Sequence, residues 1–159
     1  MAQVTGGMSF RQAAVDFGTA TATLTSADSA GTAVAVTGGA RETGEAHTFD
    51  GDFPIVGAGK VAGLDVAVRF IYTESTSETF EKARAVYEAE GGPCFLRFSP
   101  ASDATSASFR YSAANAAGTE AAGIMTEFLY PSGEADGGAI IPGSFTVHVA
   151  RLLKGNVVV

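Results

Sequence analysis

The sequence predicts a mainly β protein, an antiparallel β-sandwich or barrel with one flanking α-helix at about 76–90 and a long loop at about 40–60. Three observations carry this expectation. Residues 61–74 alternate, with Leu64, Val66, Val68, Phe70 and Tyr72 on one face and Asp65, Ala67, Arg69, Ile71 and Thr73 on the other. Only residues 76–90 place apolar side chains at helical spacing. The remainder is short alternating segments divided by turns rich in Gly, Ser, Asp and Asn. A lone helix argues against repeated βαβ units and suits a sandwich or small barrel.

Along the chain, residues 12–38 read as two or three strands. Val15 alternates with Phe17, Leu24 with its flanking threonines, and Val34 with Val36, until Gly38-Gly39 ends the region. The stretch Arg41–Lys60 is polar in its first half, carries an Asp50-Gly51 turn signal, and then passes through apolar Phe53-Pro54-Ile55-Val56. A loop of this length inside a compact domain is uncommon and often functional. In the helix, Ser75 and Glu78 form a candidate capping box, and Phe80, Ala83, Val86 and Tyr87 form the stripe that packs on a sheet. Glu78–Lys82 and Arg84–Glu88 are spaced for ion pairs on the outer side. Gly91-Gly92-Pro93 stops the helix. Cys94–Ser99, Ser106–Ala113, Gly123–Tyr130 and Gly143–Leu153 read as strands. In the third of these, Ile124 with Phe128 and Met125 with Leu129 put apolar residues on both faces, as in a sheet covered on both sides.

The chain of 159 residues has the length of one domain. Charged residues make up 17%, against about 25% in an average soluble domain, so neighbouring subunits are expected to cover part of the surface. Net charge is −7, and no two of the ten basic residues are adjacent, which does not suit a nucleic-acid grip. The single cysteine, Cys94, rules out an intrachain disulfide and reads as an apolar filler of a strand. No secretory signal and no membrane span are expected. The segments Met1–Phe10 and Lys154–Val159 carry little apolar volume, so partners are expected to hold these terminal arms through residues such as Phe10, Lys154 and Val157.

No motif supplies a convincing catalytic centre. Gly57-Ala58-Gly59-Lys60 lacks the first glycine and the final Ser or Thr of a phosphate loop, since Pro54 and Val61 occupy those positions. His47 lies near Asp50 and Asp52, but two histidines far apart in sequence give no dependable metal spacing, and His148 is expected on a polar wall or interface. No Gly-x-Ser-x-Gly elbow is present. The expectation is a non-enzymatic assembly subunit without cofactors. Its candidate inter-subunit residues are Arg41, Glu42, Glu45, His47, Phe49, Asp50, Asp52, Phe53, Ile55 and Lys60.

One run of residues adds to this. A Gly-Gly and polar arm leads to Thr48-Phe49-Asp50-Gly51-Asp52-Phe53-Pro54-Ile55, then Gly59-Lys60, then Arg69-Phe70-Ile71-Tyr72-Thr73-Glu74. The helix Ser77–Glu90 and Phe95-Leu96-Arg97-Phe98-Ser99-Pro100 follow, with Ile140-Ile141-Pro142-Gly143-Ser144-Phe145-Thr146-Val147 near the end. This layout resembles the tail tube (major tail) proteins of long, non-contractile-tailed bacteriophages. The resemblance implies a subunit made in the host bacterial cytoplasm that forms rings of six, stacked with other tail proteins into a virion tail. It also implies inner strands joined into a continuous barrel, rings locked by a long loop and the termini, and genomic DNA passing down the lumen. The net charge of −7 adds the expectation of a negative lumen, which DNA would pass without sticking. A capsid decoration or other virion structural protein and a small-molecule-binding β-barrel are the alternatives.

Overall fold

In the computed structural model, residues 14–26, 31–49, 51–73, 75–99, 108–133, 138 and 140–158 are described. Eleven strands and one helix occur among them: β1 (Ala14–Gly18), β2 (Thr25–Ser26), β3 (Gly31–Gly38), β4 (Arg41–Ala46), β5 (Ile55–Val61), β6 (Leu64–Ile71), α1 (Thr79–Glu88), β7 (Phe95–Ser99), β8 (Ser108–Ala114), β9 (Ile124–Leu129), β10 (Pro142–Val149) and β11 (Arg151–Val158). All the strand pairings are antiparallel. One sheet runs β11-β8-β7-β1-β2, a second runs β3-β6-β10-β9, and β4-β5 forms a third ladder of two strands. The sheets stay open, so the molecule is a sandwich and not the barrel left as an alternative above.

The core lies between the two larger sheets. β6 buries Val66, Val68 and Phe70, and β10 buries Phe145, Val147 and Val149, as strict alternation requires. From the opposite sheet come Val15, Phe17, Leu96, Phe98 and Ala113. Phe17 meets Phe145 across the interlayer space with ring centroids 4.8 Å apart, and Phe70 joins them at 6.0 Å from Phe145. Helix α1 closes one flank with Phe80, Ala83 and Val86.

Several boundaries differ from the sequence expectation, each for a local reason. The helix is shorter, and Glu78 is itself the N-cap, in extended backbone and without a side-chain cap bond. The Glu78 carboxylate accepts from the Thr73 hydroxyl, so neither the capping box nor the Glu78–Lys82 pair forms. Arg84 does pair with Glu88 at 2.8 Å, and also with Glu81 at 2.6 Å. Tyr87 stays 36% exposed and stacks on Phe128 at 5.7 Å instead of entering the core. At the other end, Gly91 takes φ +75° and its backbone lies so close to the Met125 carbonyl that a Cβ would collide with it.

In β9, Met125 and Phe128 are both buried, whereas Ile124 and Leu129 are exposed. Simple alternation had paired them differently. The ladder skips Thr126: Thr146 lies opposite Glu127 and Val147 opposite Met125. This bulge inserts one residue and turns the two buried side chains to the same face. The expected single strand Gly143–Leu153 is two strands, divided at Ala150, and β11 pairs with β8 in the other sheet. The tail from Lys154 to Val158 therefore finds a backbone partner in its own chain, with Lys154 opposite Tyr111 and Val157 opposite Phe109. Phe10 lies outside the described residues.

Phe145 touches aromatic rings of both β1 and β6 and has no exposure. Phe145→Ala should lower stability by about 3–5 kcal/mol, the usual cost of emptying a buried aromatic site. Urea unfolding measures it, and a loss below about 1 kcal/mol would show that the core is not organised around this ring.

Candidate functional site

The expected loop at 40–60 is a β-hairpin. β3 runs through Gly38-Gly39 into β4, and β5 runs through Ala62-Gly63 into β6, so one long ribbon is divided into a buried root and a projecting arm. The junction needs glycine: Gly38 and Gly39 take φ +89° and +72°, and a Cβ on Gly38 would sit 2.7 Å from the Gly63 carbonyl oxygen. Backbone pairing crosses it, with Gly39 N–H bonded to Gly63 O and Ala62 N–H to Ala40 O. An isolated two-stranded hairpin is marginal in water, and this one is anchored by its root in the four-stranded sheet. The six residues of β4 reach roughly 20 Å from the body at about 3.4 Å per residue.

Every described residue of the arm is exposed except Pro54, which is half-buried. Arg41, Glu42 and Glu45 stand on β4, and Ile55 and Lys60 on β5. His47, Phe49, Asp52 and Phe53 lie in the tip segment, while Asp50 falls outside the described residues. Arg41 Nη1 donates to Gly59 O at 3.1 Å and braces the base. Phe49 has the full exposure of a free side chain at 111%, and Phe53 is 85% exposed. Ile55, Val56 and Val61 are exposed as well. Covering either aromatic ring would contribute roughly 1.5–3 kcal/mol. Gly57-Ala58-Gly59-Lys60 lies inside strand β5, not in a turn leading into a strand at Val61, because its backbone pairs with β4.

A second surface is the outward face of the β3-β6-β10-β9 sheet. Its cross-strand rows read Ala33-Arg69-Ser144-Leu129, Ala35-Ala67-Thr146-Glu127 and Thr37-Asp65-His148-Ile124. Between its borders the face is short and polar. His148 Nδ1 lies 2.7 Å from Asp65 Oδ1, with both side chains about half exposed. The sequence placed both outside but could not pair them, because their registry depends on how β6 and β10 align. The sheet ends on β3 and β9. β3, Gly31-Thr32-Ala33-Val34-Ala35-Val36-Thr37-Gly38, contains no charge and no proline, and Val36 is 42% exposed. Native edge strands are normally blunted by such residues.

Sequence reasoning missed an ion pair in the other sheet. Arg97 binds Glu120 with both carboxylate oxygens, Nε–Oε1 at 2.5 Å and Nη2–Oε2 at 2.9 Å, with Arg97 nearly buried. The hydrogen bonds to Glu120 raise the Arg97 pKa against the opposing effect of burial, and Asp16 adds to the rise. It fastens the turn after β8 over the sheet.

Among the described residues, no group of three or more His, Cys, Asp or Glu is placed to hold a metal ion, and no helix is long and apolar enough to cross a membrane. Cys94 is fully buried, and burial pushes its thiol up to about 12.

No protein-family model and no curated protein matches the sequence. Solved structures match the fold over nearly its whole length. The sheath/tube terminator of PVC, an extracellular contractile injection system, in its extended state superposes with a TM-score of 0.66 at 14% identity, covering 96% of this chain and 99% of that one. The chain shares the fold of tail tube terminators. The tube-terminating cap of the anti-feeding prophage gives 0.62 at 11% identity, covering 98% and 95%. A chain from the tail of an empty GTA particle, refined helically with C6 symmetry, gives 0.64 at 10% identity, covering 94% and 99%. The likeness thus reaches a contractile system and does not single out long, non-contractile tails.

Two outcomes follow from these sites. Replacing residues 42–60 by an Asn-Gly turn joins Arg41 to Val61, which already lie opposite each other. The variant should keep its far-UV spectrum and a thermal midpoint within a few degrees of wild type, because the arm buries nothing; a collapse of stability would mean that the arm belongs to the core. Cys94 should resist a thiol reagent at pH 8 in the native protein and react fully in urea. Because burial holds the folded thiol above its ordinary pKa of 9.0, stability should fall as pH rises from about 9.0 toward about 12, and a Cys94→Ala variant should show less of that fall.

Proposed function

We propose that this protein is a structural, non-enzymatic subunit of a tail-like tube. Copies close into rings of six, and the rings stack with other tail proteins around a hollow conduit. The observation that carries the reading is the end-to-end likeness to tail and terminator chains, one of them from a C6-symmetric tail. Two features supply the physical means. The uncharged β3 edge offers unpaired backbone groups to the β9 side of a neighbour, which would continue the sheet around the ring. The exposed arm projects beyond the body toward an adjacent subunit.

In this arrangement the outward face of the β3-β6-β10-β9 sheet lines the conduit. Alanine, serine and threonine fill much of its middle. The carboxylates Asp65 and Glu127 outnumber the one arginine of these rows, Arg69, and so favour a negative wall. Like charge repels the phosphates of a passing genome, which slides without sticking. The reading places the protein in a virion tail or phage-derived particle, made in the bacterial host. A second reading, favoured by the cap and terminator likenesses, makes it the ring that ends the tube. The open sheets give no support to a small-molecule-binding barrel.

Negative-stain electron microscopy of the purified protein, with mass measurement of the same sample, tests this. Six-membered rings that stack into tubes are expected for a tube subunit, and single unstacked rings for a terminator. Trimers, as in a capsid decoration protein, or monomers that persist at high concentration would refute the proposal.

A further inference from the structure

A cleft of about 310 Å³ opens between α1 and the β1–β2 turn. The fully buried Phe17 lies beneath it, Ala85 and Val86 form its apolar wall, and its lining also includes the hydroxyl-bearing Thr19, Thr23 and Thr25 and the ammonium-bearing Lys82. No acid lines it. Lys82 has no ion-pair partner among the described residues, because the carboxylate one turn before it, Glu78, is engaged by Thr73. The volume stands at the lower bound of small-molecule pockets, about 300–1,000 Å³. It suits one aromatic ring with a carboxylate at the rim better than a whole cofactor.

The tip half of the arm carries the complementary chemistry. Phe49 and Phe53 are unburied, Glu45 and Asp52 stand near them, and the arm's two cations, Arg41 and Lys60, are at its base. The exposure of both rings means that the cleft of the same chain does not hold them. We propose that the α1/β1–β2 cleft receives the arm tip of a second copy, with an aromatic ring against Ala85 and Val86 and an acid of the tip against Lys82. This rests on the assembly proposed above and names the receptor for its arm.

The test uses the full chain. Lys82→Glu, on an exposed side chain, should leave the circular dichroism spectrum unchanged and raise the concentration needed for assembly on the order of tenfold, the effect of about 1.4 kcal/mol. Adding Asp52→Lys to the same chain should restore assembly to within about threefold of wild type. In parallel, Phe53→Cys and Ala85→Cys chains are mixed and mildly oxidised; Cys94 stays out of the reaction through its burial. A mixed disulfide between the two chains is expected, and none when Phe53→Cys is mixed with Thr126→Cys on the far sheet face. If wild type assembles while Lys82→Glu assembles at the same concentration and no mixed disulfide appears, this inference fails and the tube reading stands. If wild type never assembles, both fall together.

Discussion

The structure depends on the contact between Phe17 and Phe145 across the interior. Strand β1 contributes one ring and β10 the other, so the pair ties the two sheets at the level where both are fully buried. Phe70 and Phe80 extend the cluster to β6 and to the helix, with ring centroids 6.5 Å apart. Tilted aromatic pairs of this kind contribute about 0.5–1.5 kcal/mol beyond the area they bury. Once the cluster is set, β6 and β10 have only one register that keeps Val66, Val68, Val147 and Val149 inside. A slip of one residue would expose the whole set.

That register decides the functional surfaces. It holds the rows Ala33-Arg69-Ser144-Leu129 through Thr37-Asp65-His148-Ile124 on the outward face, and it orients the ribbon from which the arm emerges. The core is confined to the root of the ribbon and stops at Gly38 and Gly63. Beyond these residues the strands are held by backbone bonds and one bracing arginine. The molecule thus divides its apolar residues between an interior that needs no partner and an arm that has nothing of its own to pack on.

The amino-acid pattern revealed the elements wherever burial enforces a strict period. β6, β10, the helix stripe and the buried Cys94 were legible because one face of each is apolar and the other is not. The arm read as a loop because both of its faces are solvated and its strands, Arg41–Ala46 and Ile55–Val61, carry no single apolar face. The bulge at Thr126 was invisible because it shifts the period by one without a glycine or proline to mark it. The division at Ala150 escaped for a similar reason: apolar residues continue from Val149 into Leu152 and Leu153, although the chain changes sheets. The Arg97–Glu120 pair joins residues 23 positions apart and leaves no local trace.

The absence of lysine, glutamate or proline from β3 has a consequence for the life of the free subunit. An unblunted edge does not distinguish a correct neighbour from any other strand that approaches it. In the tube proposed above, the newly folded chain would stand in a kinetic competition, in which ordered addition must outpace random edge-to-edge collision. Both processes quicken with concentration, so a supply of growing ends, and not a high level of protein, would keep it productive. An unblunted edge of this kind suits a chain that is consumed as it is made better than one that is stored.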